Sequence, residues 1–362
     1  MKICFHINDA FSVLTGEGNR IGGAEINLFL LAKEFAKSKD YRVFFIVGDF
    51  GQKPTIHNNN ITIIKNPYYN TIFNRAYHKF FRKIYTLITF YKINADIYIT
   101  SVASESLFMI RLASFLRNAK LIYRVAHDWD IDGTRAYNNS INGLLYRMSL
   151  PFVNEIIVQT KYQQVTLLRK MGLKSSVIKN GFPQNKKINF NDKKNSYFLW
   201  VSRAIEWKRP ELFIEFAKLF PSEKFIMILT GDGLVKHKIK EKIIDIKNIE
   251  YHDYIPFDEI DVYFKNSKCF INTSTNEGFP NTFIQSWLNR VPVISLDVNP
   301  DDIIVKYNLG FYCDGNIKKA HHVIKHTSDK EYIKRGLNGY NYVVDHHNLE
   351  NTINEYKCLI SK

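Results

Sequence analysis

The residues best suited to chemistry lie in one short segment of the second half of the chain. It reads Asn276-Glu277-Gly278-Phe279-Pro280-Asn281-Thr282-Phe283-Ile284-Gln285 and follows the apolar run Cys269–Asn272, which predicts a buried strand. The glycine permits a tight turn, and the proline suits the start of a helix, where its missing N–H costs nothing. Glu277 is therefore expected at the carboxyl end of a strand and beside a helix N-terminus. There its oxygens can accept hydrogen bonds from hydroxyl groups.

Two cations open the second half of the chain. Arg203 comes directly after a predicted strand over residues 197–202, and Lys208 lies just before the predicted helix Pro210–Leu219. Arginine offers a planar fork of donors and lysine a point charge, and together they suit a diphosphate. For either residue alone, a surface cation near a helix start is the alternative interpretation.

A pair of glycines near the N-terminus gives a second candidate anion site. Gly22 and Gly23 follow the first predicted strand and come directly before an amphipathic helix over residues 25–37. Glycine lets a ligand approach the backbone closely, and a helix N-terminus presents unpaired N–H groups with partial positive charge. A flexible turn into the helix is the alternative.

A histidine follows the predicted strand over residues 121–125. In an open α/β sheet, His127 at the carboxyl end of that strand is expected to face the ligand crevice. Asp128 and Asp130 could be read as the metal-binding pair of metal-dependent sugar transferases. A two-residue match is common by chance and no carboxylate or histidine cluster supports it, so we expect no metal site.

The elements that must position these residues alternate between short β-branched runs and longer helical stretches. This pattern predicts βαβ units and parallel sheets with helices on both faces, an α/β fold. A polar stretch over residues 183–196 predicts a linker between two Rossmann-like domains. The expected domains are residues 1–182 with the final helix, 346–362, and residues 197–345. Neither G-x-G-x-x-G nor G-x-x-x-x-G-K-[ST] opens a helix, so dinucleotide binding and P-loop chemistry have no support.

Composition and charge set broad limits on the function. The chain has 362 residues with 50 Lys+Arg against 35 Asp+Glu, a net charge of +15 that attracts polyanions such as nucleic acid, membranes or diphosphates. No zinc-finger or RNA-binding signature supports nucleic acid. The four cysteines are scattered, which fits a reducing cytoplasm. The first apolar run is too short for a signal peptide, and no run approaches the roughly 18 apolar residues of a membrane span. These features predict a cytoplasmic protein.

Taken in order, the motifs resemble those of the retaining glycosyltransferases of family 4 (group 1), which have the GT-B fold. The resemblance covers about residues 1 to 360, and its specificity comes from the order and spacing of motifs that are each weak alone. The set is Gly22-Gly23-Ala24-Glu25, His127, Asn180-Gly181, Arg203, Lys208, Gly231-Asp232-Gly233, Glu277-Gly278-Phe279-Pro280 and Pro292-Val293-Ile294. It implies two Rossmann-like domains facing each other across a cleft, with the C-terminal helix crossing back to the first domain.

The resemblance also implies roles for the matching positions. His127 would approach the transferred sugar, Arg203 and Lys208 would hold the diphosphate, and Glu277 would bind sugar hydroxyls. The remaining positions expected to contact the nucleotide-sugar donor are Gly22, Gly23, Gly231, Gly278, Phe279, Pro280, Asn281, Thr282 and Gln285. Transfer would need no metal or other cofactor, and the acceptor would attack on the face from which the nucleotide leaves.

One position departs from the family pattern, in which a second glutamate follows the first after seven residues. Here Gln285 occupies that position. The family glutamate usually holds the ribose hydroxyls, and glutamine keeps one acceptor oxygen but loses the charge. We expect a loss of roughly 1–2 kcal/mol of donor binding.

A predicted basic helix bears on the acceptor and on contact with a membrane. Residues 73–91 predict a helix that is apolar and aromatic on one face and carries Arg75, Lys79, Arg82 and Lys83 on another. Such a surface is expected either to be simply solvated or to make peripheral contact with an anionic inner membrane face, which suits a lipid-linked saccharide or glycan acceptor. Two alternatives to a transferase stay open: a sugar-nucleotide epimerase of the same architecture, and a non-catalytic homologue that binds nucleotide or polyanion.

Overall fold

The computed structural model describes residues 1–67, 76–133, 140–184 and 196–361, with the backbone alone for residues 76–82. The chain divides into two compact units. Unit 1 comprises Met1–Gly181 with Asn351–Lys362, and unit 2 comprises Phe182–Glu350. Most of the predicted linker, 183–196, lies outside the described residues.

Unit 1 is built on an eight-stranded sheet with the order β3-β4-β2-β1-β5-β6-β7-β8. Its strands are β1 (Lys2–His6), β2 (Arg42–Val47), β3 (Thr55–Asn58), β4 (Ile61–Lys65), β5 (Ile97–Thr100), β6 (Lys120–Arg124), β7 (Glu155–Val158) and β8 (Ser176–Val177). Its helices up to this point are α1 (Phe11–Thr15), α2 (Gly23–Phe35), α3 (Ala76–Ile93), α4 (Glu105–Leu116), α5 (Ile141–Ser149) and α6 (Lys161–Met171). The central strands are almost wholly buried and apolar, as expected for a parallel sheet covered by helices.

The edge of this sheet contains an element that the sequence interpretation missed. β3 pairs with β4 in antiparallel fashion, whereas the other pairings among the described strands of the sheet are parallel. Asn59 and Asn60 connect the two strands, with φ of 48° and 63°. Asparagine tolerates this left-handed region, which a two-residue hairpin turn requires, so the Asn-Asn signal was present in the sequence.

Unit 2 is built on a six-stranded sheet with the order β11-β10-β9-β12-β13-β14, parallel throughout. Its strands are β9 (Phe198–Arg203), β10 (Phe225–Thr230), β11 (Ile249–His252), β12 (Cys269–Asn272), β13 (Val293–Ser295) and β14 (Gly310–Tyr312). Its helices are α7 (Pro210–Leu219), α8 (Leu234–Ile243), α9 (Ile260–Asn266), α10 (Asn281–Leu288), α11 (Ile303–Lys306), α12 (Ile317–His326) and α13 (Asp329–His346). The predicted fold class, two Rossmann-like parallel-sheet domains, is confirmed.

The final helix, α14 (Leu349–Ser361), joins unit 1 through specific hydrogen bonds. Arg124 is buried at the end of β6, where its guanidinium donates to the Tyr356 hydroxyl at 3.0 Å and to the side-chain oxygen of Asn180. Lys120 Nζ donates to the Leu359 carbonyl at 2.6 Å. Tyr356 is fully buried, so the apolar face of α14 completes the core of unit 1.

A buried histidine ends β1. His6 lies 3.1 Å from Thr100 Oγ1 and 3.3 Å from Asn8 Oδ1, and its ring packs edge-on against Phe90. Burial lowers the pKa of His6 from 6.5 to about 4, against a smaller opposing effect of the hydrogen bond with Asn8. The imidazole is therefore neutral in the folded protein at pH 7.

This histidine should make unit 1 sensitive to acid. Between pH 6.5 and 4, His6 is protonated in the unfolded chain but neutral in the folded protein. The free energy of unfolding therefore falls as pH drops, by up to about 3 kcal/mol. Urea unfolding of wild type and His6→Gln at pH 7 and pH 5 measures this, with exposed His57→Gln as the control. We expect the stability difference between wild type and His6→Gln to shrink at pH 5. A difference that stays constant with pH would contradict a lowered pKa.

Candidate functional site

The candidate site of unit 2 lies where the strand order of its sheet reverses. From β9 the chain proceeds to β10 and β11 on one side, then returns to place β12 on the other side of β9. In doubly wound sheets the carboxyl ends of the two strands at this reversal form the ligand crevice. Arg203 ends β9, and Glu277 lies in the loop that leaves β12. The tertiary structure thus brings both predicted residues to the same edge of the sheet.

Lys208 and Glu277 form an ion pair at this edge. Lys208 ends a short 3-10 turn after β9, and its ammonium contacts Glu277 Oε1. Their side chains are only 13% and 9% exposed, so little water screens the interaction. A cation and a carboxylate held side by side at a strand-end crevice can contact a phosphate and a sugar hydroxyl of one ligand.

A hydrogen-bond network fixes the loop that carries Lys208 against the loop that carries Glu277. Thr273, at the end of β12, donates its hydroxyl to the carbonyl of Lys208 and accepts from the indole N–H of Trp200 at 2.9 Å. Arg209 donates Nε to the Thr273 carbonyl at 2.6 Å and forms an ion pair with Asp297 after β13. The segments that follow β9, β12 and β13 are therefore tied together.

The sequence interpretation missed Thr273, Arg209 and Asp297. Arg209 follows Lys208 directly, but its backbone adopts the left-handed conformation, with φ of 46°. That conformation turns the chain into α7 and sends the guanidinium toward Asp297, which is 88 positions away. No local pattern predicts a pairing at that separation, so only the tertiary structure reveals it.

The residues after Glu277 lead into α10 as predicted. Pro280 precedes the first turn with an extended backbone, and the N–H of Phe283 donates to its carbonyl at 3.1 Å. Gly278, Phe279, Asn281 and Gln285 are buried, whereas Thr282 is half-buried. The Phe279 ring packs against the ring of buried His347, with centroids 4.6 Å apart, which anchors this loop within unit 2.

Gly231 lies next to the end of β9, because the residue before it is the register partner of Arg203. Gly231 and Gly233 have φ of 87° and 113°, conformations that favour glycine over any other residue. The carbonyl oxygen of Gly231 accepts a hydrogen bond from Nζ of the buried Lys236 at 2.9 Å. The predicted glycine turn is therefore held beside Arg203 by a lysine of the helix that follows it, α8.

The predicted residues of unit 1 occupy the ends of two elements. Gly22 has an extended backbone and precedes α2, which begins at Gly23 with its first turn partly open to solvent. His127 follows β6 and precedes a 3-10 turn, and its backbone N–H donates to Asp130 Oδ2 at 2.9 Å. Asp130 is 1% exposed and also accepts from the N–H of Ala126, so this carboxylate holds the loop that presents His127.

The remaining predictions concern the basic helix and metal binding. Arg75 lies outside the described residues, Lys79 and Arg82 are described by backbone alone within α3, and Lys83 is half-buried. Within the described ranges, no group of three or more His, Cys, Asp or Glu side chains is placed to hold a metal ion. None of the helices described is long and apolar enough to cross a membrane.

Comparisons with known proteins relate the chain to glycosyltransferases. Residues 181–339 match the family model of glycosyl transferases group 1. The uncharacterized glycosyltransferase MJ1059 of Methanocaldococcus jannaschii is 25% identical over 54% of this chain and 53% of its own length. The poly(ribitol-phosphate) alpha-N-acetylglucosaminyltransferase of Staphylococcus aureus is 24% identical over 54% of this chain and 40% of its own length. The chain thus spans about half or less of the curated relatives it matches.

Among solved structures, Anabaena HepE in complex with UDP and glucose superposes with a TM-score of 0.71. The match covers 100% of this chain and 99% of that chain at 16% identity, a level at which it shows the shared fold. The family model thus relates residues 181–339 to the glycosyl transferases of group 1, and the solved structure shows that the chain shares the GT-B fold.

Proposed function

We propose that the protein is a retaining glycosyltransferase that moves a sugar from a nucleotide-diphosphate donor to a glycan or a lipid-linked saccharide. The observation that carries the proposal is the part-buried Lys208–Glu277 pair at the strand-order reversal of unit 2, at the same sheet edge as Arg203. The match of residues 181–339 to the group 1 family model covers all three residues. The S. aureus relative, which by its name acts on a poly(ribitol-phosphate), supports a glycan-type acceptor.

Each residue of the site has a part in the proposed reaction. As the bond between the sugar and the diphosphate breaks, negative charge builds on the leaving phosphate, and Arg203 and Lys208 compensate it. Glu277 accepts hydrogen bonds from sugar hydroxyls and keeps the Lys208 ammonium in place. The acceptor oxygen bonds to the anomeric carbon on the face that the phosphate leaves, and its proton passes to the departing phosphate oxygen. We propose that this chemistry proceeds without a metal ion, and the role of His127 next to the transferred sugar stays a prediction.

Uridine is the base that we propose for the donor. The supporting observation is that HepE, which has the same fold over nearly its full length, was crystallised with UDP and glucose. The described residues that would contact the sugar, Glu277 and the loop after it, suit any hexose with free hydroxyls.

Binding of the donor should raise the thermal stability of the protein. A screen of UDP, GDP, ADP, CMP and their sugar conjugates, with EDTA present, should show stabilisation by the UDP series. At a concentration of about 100 times Kd this amounts to about 2.7 kcal/mol. Gln285→Glu should keep or increase the shift, and exposed Lys218→Ala should leave it unchanged. If no nucleotide shifts the melting temperature, a non-catalytic protein is favoured. Gln285, in place of the family's glutamate, would then be the first explanation to test for the absence of binding.

Product analysis separates the transferase from the epimerase. With UDP-sugar and an acceptor, we expect release of UDP and a product whose anomeric configuration equals that of the donor. NMR determines this configuration. Conversion of one UDP-sugar into another without any acceptor would identify an epimerase instead. An inverted product would contradict retention but leave the donor site intact.

A further inference from the structure

Unit 1 carries an apolar surface that its own core does not use. Helices α3, α4 and α5 pack side by side, and six large apolar side chains near the end of α4 and along α5 are 41% to 68% exposed. They are Phe115, Leu116, Ile141, Leu144, Met148 and Phe152, which we call the α4–α5 face. Clustered exposed apolar residues of this size mark sites of protein or membrane contact.

The spacing along α5 shows that this exposure forms one stripe. Ile141, Leu144 and Met148 recur at intervals of three and four residues, and Phe152 lies one turn further in a 3-10 extension. Tyr146, on the opposite side of the same helix, is buried in the core of unit 1. A surface helix needs only one apolar face to pack on its domain, so the second apolar stripe requires another partner.

The charged residues of the three packed helices are mostly basic. Helices α3, α4 and α5 contain six basic residues and one acidic residue, Glu105, which is buried. Two arginines lie along aromatic rings: Arg111 is 5.5 Å from the Phe115 ring and Arg117 is 3.6 Å from the Tyr91 ring. Side chains with apolar stems and cationic heads are typical of elements that lie at the boundary between lipid and water.

We propose that the α4–α5 face docks on the surface of an anionic lipid bilayer. The aliphatic and aromatic stripe enters the interface, and Arg111, Arg117 and Arg147 contact the lipid phosphates. A second copy of the chain suits this face less well, because a two-fold contact would oppose the same cations. Nucleic acid would pair with the cations but would leave Leu144 and Met148 in water. The proposal does not rest on sugar transfer, which the Lys208–Glu277 pair of unit 2 supports independently.

The test is co-sedimentation of the full chain with vesicles. Phosphatidylcholine vesicles are compared with vesicles containing about 30% phosphatidylglycerol, at low and high salt. We expect binding to the anionic vesicles that weakens as salt increases. The triple variant Leu144→Ser, Met148→Ser, Phe152→Ser and the charge variant Arg111→Gln, Arg147→Gln should each lower the partition coefficient about tenfold or more.

Matched controls come from unit 2. Leu234 and Ile244 are 78% and 77% exposed, so Leu234→Ser with Ile244→Ser removes similar apolar surface elsewhere and should leave vesicle binding unchanged. Melting temperatures verify that all variants are folded. Absence of vesicle binding would overturn the proposal. So would a wild-type dimer that the triple variant converts to a monomer without any lipid dependence, or binding of RNA in place of vesicles.

Discussion

Lys208→Ala is expected to lower kcat/KM for sugar transfer by about 10²- to 10³-fold, with UDP binding weakened as well. The variant loses the cation that compensates charge on the leaving phosphate. It also leaves the Glu277 carboxylate, 9% exposed, without the ammonium it contacts. Because that carboxylate would then repel the diphosphate, the loss should exceed that of removing a solvent-exposed lysine.

Steady-state kinetics with UDP-sugar measures this loss, and Lys218→Ala on the exposed side of α7 is the matched control. Glu277→Gln should also reduce turnover strongly while keeping the size of the side chain. For the double variant Lys208→Ala, Glu277→Gln, the loss of transition-state stabilisation from kcat/KM should be smaller than the sum of the losses in the two single variants, since the residues act as a pair. Near wild-type turnover of Lys208→Ala would show that the cation does not serve the reaction.

Gly336→Ala is expected to destabilise unit 2 by about 2–4 kcal/mol, against the direction that helix propensity predicts. Gly336 lies within α13, where alanine would ordinarily stabilise a helix. A Cβ at this position would overlap the carbonyl of Arg290 and lie 3.2 Å from Pro292 Cδ. Backbone atoms cannot rotate away, so α13 would have to shift from the segment that follows α10.

Urea and thermal unfolding measure this effect, and Asn341→Ala on the exposed side of α13 is the control. The control should be neutral or slightly stabilising, because it gains helix propensity without meeting another group. A shift of α13 should also weaken UDP stabilisation, since α10 begins at the candidate site. Equal stability of Gly336→Ala and wild type would show that the helices separate without cost.

Much of the candidate site could be predicted from local sequence. Glu277 follows an apolar run and precedes a Gly-Phe-Pro-Asn turn into a helix, and Lys208 precedes the proline that begins α7. Strand ends and helix starts are local features, because they depend on apolar runs, glycine and proline. The sequence could therefore place each residue at the edge of a sheet, but not the contact between residues 69 positions apart.

The contacts that support the site could not be predicted from local sequence for the same reason. Thr273 and Asp297 carry no motif, and their importance comes from Arg209, whose left-handed backbone directs its side chain toward both. The exposed stripe on α5 was also not anticipated. Its apolar spacing is that of a buried helix face, and only the packing of Tyr146 into the core shows which side of the helix faces outward.

The sequence by itself determined the α/β alternation, the two Rossmann-like units and the order of the candidate site residues. Those properties follow from periodicity and turn chemistry, which act over a few residues. Only the tertiary structure decided that β12 returns beside β9, which brings the Lys208 and Glu277 side chains into contact. It also decided which helix faces stay in solvent. Strand order and helix facing are set by packing between distant segments, where many weak contacts are summed over the whole chain.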